Sequence, residues 1–158
     1  MTVTYSEQQK TDLMLAAVAE AKLAGQQGEV PIGCVIADRN GQIIGRGHNQ
    51  RESARSALGH AELLAIHQAN QQSQDWRLTD CSLFVTLEPC PMCAGAIVNA
   101  RLSRVYYGCA DLKAGCAGTL MNLLTEPRFN HQVHVEKGCC QEQCAELLSE
   151  FFRKIREK

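Results

Sequence analysis

The sequence predicts an α/β protein with three layers, α/β/α, in which a mixed five-stranded sheet carries helices on both faces. Three observations predict it. Helical and strand-like apolar patterns alternate along the 158 residues in the order α-β-β-α-β-α-β-α-β-α. Asn40-Gly41 separates two β-rich runs, a strong hairpin signal. The short and mostly apolar "SLFVTL" suits a strand buried on both faces, as parallel strands are. A chain of this length builds one sizeable core, so residues 1–158 are expected to form a single domain.

The elements follow in order. From about Ser6 to Ala24, Met14, Ala17, Val18 and Ala21 recur at helical spacing, and Ser6 with Gln9 fits a capping box. "IGCVIADRNGQIIGRGHN" reads as the hairpin. A helix is expected from about His60 to Asn70, followed by "QQSQD" as loop and "SLFVTL" as strand. Pro91 suits the first position of a helix that continues through "MCAGAIVNA". "RVYYGCA" is a further strand, and a glycine-rich loop with a short helix is expected between Asp111 and Leu124. "HQVHVEKG" alternates weakly and reads as an edge strand. The last segment forms an amphipathic helix whose expected buried stripe is Leu147, Leu148, Phe151 and Ile155.

Composition narrows the function classes. No run of about 18 apolar residues occurs, so no membrane partner is expected. The opening "MTVTYSEQQKTD" is polar and has no basic or apolar export region. Nine cysteines, an odd number without an export signal, point to thiols or metal ligands in a reducing cytoplasm. A net charge of −1 argues against binding nucleic acid by bulk charge and leaves room for a local basic patch.

The chemistry concentrates in two short stretches. "GHAELLAIHQAN" puts His60 at the start of a helix with Glu62 two residues on, and "LFVTLEPCPMC" sets Cys90 and Cys93 at the start of another. Two thiolates and an imidazole make the three-ligand set of a catalytic zinc site with a fourth position left for water. Helix N-termini favour the thiolate charge. His-x-Glu followed by Pro-Cys-x-x-Cys is the signature of the zinc deaminases of nucleosides and nucleobases, in which the glutamate carries protons and does not bind the metal. Zinc, one ion per chain, is therefore expected on His60, Cys90 and Cys93, with Glu62 as the catalytic acid and base. Other readings exist. A CxxC after a strand also fits a dithiol oxidoreductase, which would leave His60 and Glu62 without a task. A structural zinc module would need a fourth protein ligand. His67 lies two turns beyond His60 and is read as an ordinary helix residue. Cys34, Cys81, Cys109 and Cys116 read as small core residues. Cys139, Cys140 and Cys144 complete no convincing ligand set. Glu88 reads as an anchor for loop backbone.

Along nearly its whole length the chain resembles the bacterial tRNA-specific adenosine deaminases. The resemblance runs through "EVPIGCVI", "GHNQRE", "HAE", "TLEPCPMCAGAI", "RVYYG", "LMNLL", "FNH" and "LLSEFF" in the same order. "HAE" and the PCxxC motif identify only the wider zinc deaminase superfamily with its cytidine deaminase-like fold, and the segments after Tyr107 carry the tRNA assignment. The resemblance implies hydrolytic deamination of the wobble adenosine to inosine in an anticodon stem-loop, that of an arginine tRNA, by a cytoplasmic homodimer. It also implies that Asn49 binds the flipped adenosine, that Asp111, Lys113 and Asn130 contact neighbouring nucleotides, and that Phe152 and Arg156 bound the groove. The "PCPMCAGAIVNAR" helix and the "YYG" strand are the expected dimer contacts. Two positions depart from the family pattern: Ala57-Leu58-Gly59 replaces a Pro-Thr-Ala triplet, and Leu112 replaces a proline. Loss of these prolines is expected to loosen the nearby loops.

Overall fold

The computed structural model describes residues 3–157. Helix α1 (Glu7–Gln26) starts at a complete capping box, in which Ser6 Oγ accepts from Gln9 N–H and Gln9 Oε1 accepts from Ser6 N–H. Strands β1 (Gly33–Ala37) and β2 (Ile43–His48) form the expected antiparallel hairpin. The turn is not a two-residue Asn-Gly turn. The Gly41 N–H bonds to the Asp38 carbonyl, and Gly41 alone of the pair has positive φ, at 84°. Asp38 Oδ1 accepts from the N–H groups of Asn40 and Gln42, so an aspartate builds the turn.

Helix α2 (Ala61–Ser73) follows with His60 as its N-cap, running three residues past the expected end at Asn70. Then come β3 (Ser82–Leu87), α3 (Pro91–Asn99), β4 (Arg104–Cys109), β5 (His134–Lys137) and α4 (Gln141–Arg156). The sheet order is β2-β1-β3-β4-β5; β1 runs antiparallel to both neighbours, while β3, β4 and β5 are parallel. The mixed sheet of five strands is thus as expected, and β5 is its edge.

Apolar cores lie on both faces. On one face α2 and α3 cover Cys34, Ile36, Leu83, Val85 and Val105. On the other, α1 and α4 cover Val35, Phe84 and Tyr106. Phe84 and Tyr106 are partners in parallel register and stack with centroids 4.4 Å apart. Helix α2 lies on β2 with almost nothing between. A Cβ on Gly45 would fall 2.3 Å from the Ala65 carbonyl oxygen, and one on Gly47 would fall 2.4 Å from that of Ala61. Cys34, Cys81, Cys109 and Cys116 are buried as small core residues.

Three expectations need correction. No helix forms between Asp111 and Leu124; the segment is a set of turns with one bridge, Ala117 to Asn122. Its N–H groups at Asp111, Ala117 and Thr119 bond to the Glu88 carboxylate instead of to carbonyls four residues back. In α4, Cys144 is the buried residue, while Leu147, Leu148 and Phe151 are half-buried and Ile155 is exposed. Among the described residues the end of this helix borders the turn at Lys113 across an open groove rather than a packed core. Tyr106 and Tyr107 lie in a strand flanked by β3 and β5 and are buried within the chain, so the "YYG" strand offers no surface to a partner.

Candidate active site

The site forms where the N-termini of α2 and α3 meet, beyond the C-terminal end of β3. His60 and Cys90 are the N-cap residues of these two helices, both in extended conformation and neither bonded back to its own helix. An N-cap side chain so released points away from the helix end. Pro91 occupies the first helical position, where its missing N–H costs nothing, and Cys93 sits one turn in. The Sγ atoms of Cys90 and Cys93 lie 3.6 and 3.5 Å from His60 Nδ1. All three donor atoms fall within 4.8 Å of one another, which suits a single metal ion. Among the described residues no other His, Cys, Asp or Glu cluster has this spacing, so the thiols at 139, 140 and 144 form no such site. His67 is exposed on the flank of α2.

Within the triad the three groups share protons through hydrogen bonds. Hydrogen bonding from the Cys93 thiol, with help from His60, lowers the Cys90 pKa to about 4 against the effect of burial. The same Cys90–Cys93 bond, together with burial, pushes the Cys93 thiol far up. The hydrogen bond to Cys90 raises His60 above its ordinary value. Two helix N-termini directed at the thiolate add to its stabilisation.

Glu62 lies in the first turn of α2, only 4% exposed. Burial is the main cause that raises its pKa to about 7. It lines, with His60 and Cys90, a cleft of about 240 Å³, the scale of one nucleobase rather than of a longer ligand. Val30, Ile32, Leu87 and Ala114 supply apolar wall, and Asn49, Arg51, Glu88 and Asp111 supply polar groups.

The Glu88 carboxylate lines the cleft, but its oxygens are taken up by protein donors. It accepts from the backbone N–H groups of Asp111, Ala117 and Thr119 and from the Thr119 hydroxyl. Burial alone would raise its pKa, but the Thr119 hydroxyl and these N–H groups outweigh it and hold the carboxylate below its ordinary value. Gly115 is required beside it, since a Cβ there would sit 2.4 Å from the Glu88 carboxyl. Glu88 is the loop anchor that its sequence position suggests.

Of the other expected residues, Asn49 and Asp111 line the cleft. Asn49 is buried, its Nδ2 donating to the Val30 carbonyl at 3.3 Å and its Oδ1 accepting from Arg51 N–H. Asp111 Oδ1 closes a turn by accepting from the N–H groups of Lys113 and Ala114. Lys113, Phe152 and Arg156 lie instead along a separate shallow groove with Leu148, Ser149 and Ile155. Cleft and groove share the turn 111–114 as a wall. Asn130 is exposed and lines neither. The sequence reading missed two residues, Glu29 and Arg51. The Glu29 partners are backbone N–H groups, which leave no trace in a sequence, and Arg51 is one of several charges in a polar loop.

Comparison with known proteins agrees with this geometry. Residues 8–156 match the family described as MafB19-like deaminase. A tRNA-specific adenosine deaminase of Bacillus subtilis (strain 168) is 52% identical over 145 residues, covering 92% of this chain and 89% of the relative. One from Streptococcus pyogenes serotype M18 is 48% identical over 154 residues, covering 98% and 96%. A solved structure from a study of A-to-I editing by tRNA:A34 deaminases at the wobble position of transfer RNA superposes with a TM-score of 0.83 at 38% identity, covering 87% of this chain and 99% of that one. With its sheet, its His-Cys-Cys cluster and this likeness over most of its length, the chain belongs to the tRNA-specific adenosine deaminase family.

Proposed function

We propose that this chain is a zinc-dependent hydrolase that converts the wobble adenosine of a tRNA anticodon loop, that of an arginine tRNA by family likeness, to inosine and ammonia. The observation that carries the reading is the convergence of His60, Cys90 and Cys93 on one point, with Glu62 lining the same cleft. The donor set fits zinc. With Zn–S near 2.3 Å and Zn–N near 2.0–2.1 Å, a tetrahedral centre has a sulfur-to-nitrogen edge of roughly 3.5 Å. The two such edges here measure 3.6 and 3.5 Å.

A zinc ion held by these residues lowers the pKa of water, so that a nucleophile is available at neutral pH. The chain supplies the rest. Glu62, buried in the wall of the same cleft, is placed to take and give a proton there. Its carboxylate takes a proton from the attacking water and delivers it to the ring nitrogen next to the amine-bearing carbon. It then takes the remaining hydroxyl proton of the tetrahedral adduct and passes it to the departing amine, which leaves as ammonia while the carbonyl forms. The apolar wall of Val30, Ile32 and Leu87 keeps bulk water from the base while Asn49 orients it. Asp111, Lys113, Asn130, Phe152 and Arg156 are proposed to hold the flanking nucleotides, with the groove beside the turn 111–114 continuing the path from the cleft.

In this reading the whole chain acts as one deaminase domain in the cytoplasm. No helix among the described residues is long and apolar enough to cross a membrane. A homodimer is proposed through α3, whose Pro91, Met92, Gly95, Ala96 and Asn99 remain wholly or partly exposed, as a twofold contact would use. Light scattering at micromolar concentration should give twice the chain mass. The function itself is tested by offering a stem-loop with adenosine at the wobble position beside free adenosine, cytidine and guanine. Inosine should appear in the stem-loop far faster than any free compound is deaminated. Efficient turnover of guanine or cytidine with the stem-loop untouched would overturn the substrate and leave the zinc chemistry standing.

A further inference from the structure

Among the residues that line the cleft, Arg51 carries the one permanent positive charge. Around it stand Glu62, Glu88 and Asp111. A cleft walled by carboxylates repels the phosphate that any nucleotide within a chain brings along, unless a cation meets it. Arg51 is exposed, and its guanidinium takes part in none of the ion pairs among the described residues. Its donors are therefore available to a ligand.

Its backbone, by contrast, is fixed from both sides. Glu29 is 2% exposed and lies in the loop before β1. Its Oε1 accepts from Glu52 N–H at 3.1 Å, and its Oε2 accepts from Ser53 N–H at 2.6 Å. Arg51 N–H donates to Asn49 Oδ1, and the Arg51 carbonyl accepts from Ser56 N–H. Asn49 N–H donates to the Ile32 carbonyl, and Gln50 N–H donates to that of Gly59. The loop bearing Arg51 is thereby fastened to the wall formed by Val30 and Ile32. A buried carboxylate spent on two backbone donors holds a loop to one shape. The hydrogen bonds from Ser53 and Glu52, helped by the Arg51 charge, keep Glu29 ionised below its ordinary range although burial opposes this.

We propose that Arg51 binds a backbone phosphate adjacent to the target nucleotide at the mouth of the cleft, and that Glu29 is the positioning residue that fixes the loop presenting it. This rests on the reading of an RNA substrate. A planar guanidinium with paired donors suits phosphate oxygens, and its placement at the mouth lets the base enter while the phosphate stays outside. Arg51, by meeting the phosphate that the carboxylates would otherwise repel, then favours a nucleotide within a strand over a free base, which brings no phosphate.

The test is equilibrium binding of a fluorescently labelled anticodon stem-loop to the metal-loaded protein across a range of salt. One lost phosphate contact on single-stranded RNA lowers the slope of log affinity against log salt by about 0.7. Arg51→Gln should show that loss and bind about tenfold more weakly at low salt, with the kinetic effect in KM rather than kcat. Arg51→Lys should recover most of the slope, because the charge is kept. Glu29→Gln sets an amide against two N–H donors and should weaken binding while the metal content holds. Wild-type affinity and slope in Arg51→Gln would overturn the proposal even if Glu29→Gln fails to fold. If the wild-type protein binds no stem-loop yet deaminates free adenosine, the RNA reading fails first and takes this one with it.

Discussion

Glu62 and Glu88 face the same cleft, are 4% and 2% exposed, and differ in almost everything else. Glu88 is surrounded by donors, three backbone N–H groups and a hydroxyl, and stays ionised. Glu62 is buried beside a thiolate without that set of donors, and its pKa rises to about 7. One glutamate is bound so firmly to its loop that it has nothing left to exchange. The other is held where losing or gaining a proton costs little. Burial therefore does not distinguish an anchoring carboxylate from one proposed to carry protons; the count of donors does.

The comparison can be broken at its strongest point first. Cys90→Ser with Cys93→Ser removes two of the three clustered donors while leaving both glutamates in place. Zinc content by elemental analysis should fall to background, and activity should vanish with it. Full zinc in that variant would remove the metal assignment. Next, Glu62→Gln should fold, keep zinc and lose at least about 100-fold in turnover. A rate near that of wild type would mean that Glu62 carries no proton.

Glu88→Gln should do the reverse. Its amide leaves buried N–H groups of the 111–119 loop unpaired, at a cost of about 2–4 kcal/mol read as a lower unfolding midpoint. Acid sharpens the contrast. Glu88 has a depressed pKa in the folded protein, so its contribution is present above the ordinary value of 4.5 and is lost as pH falls through the folded value. Unfolding midpoints measured from pH 6 downward should drop more steeply in wild type than in Glu88→Gln. Equal slopes would show that Glu88 is not the anchor. The smallest effect is expected from Lys113→Ala, which should slow deamination of the stem-loop about two- to fivefold through one lost phosphate contact, with zinc unchanged.

How much of this was legible in the sequence depended on how local the cause is. The capping box at Ser6, the Pro91 start of α3 and the CxxC spacing are local, and all three appear as read. The convergence of His60, Cys90 and Cys93 was legible because His-x-Glu and PCxxC each place a side chain at a helix start, and the sheet brings the two starts together. The helix expected within 111–124 fails because Glu88, a remote residue in sequence, takes the N–H groups that a helix would use. Glu29 escaped notice for the same reason: its partners at 52 and 53 are backbone, and backbone carries no letter. Ile155 is exposed despite its place on the stripe, because a helical stripe shows which face is apolar and not how far the neighbouring sheet extends.

The contact of α2 with β2 has a consequence for how this protein tolerates change. Apart from a similar close approach of Gly33 in β1 to the backbone of α1, side chains separate much of the sheet from its helices, and such layers absorb substitutions by repacking. At Gly45 and Gly47 no such layer exists, and backbone rests on backbone. The height of α2, and with it the position of His60 at its tip, is therefore set by chain geometry that drifting core residues do not alter. Sequence variation in the apolar core beneath α2 can then accumulate with little effect on the position of His60. The constraint falls instead on two glycines that touch neither metal nor substrate.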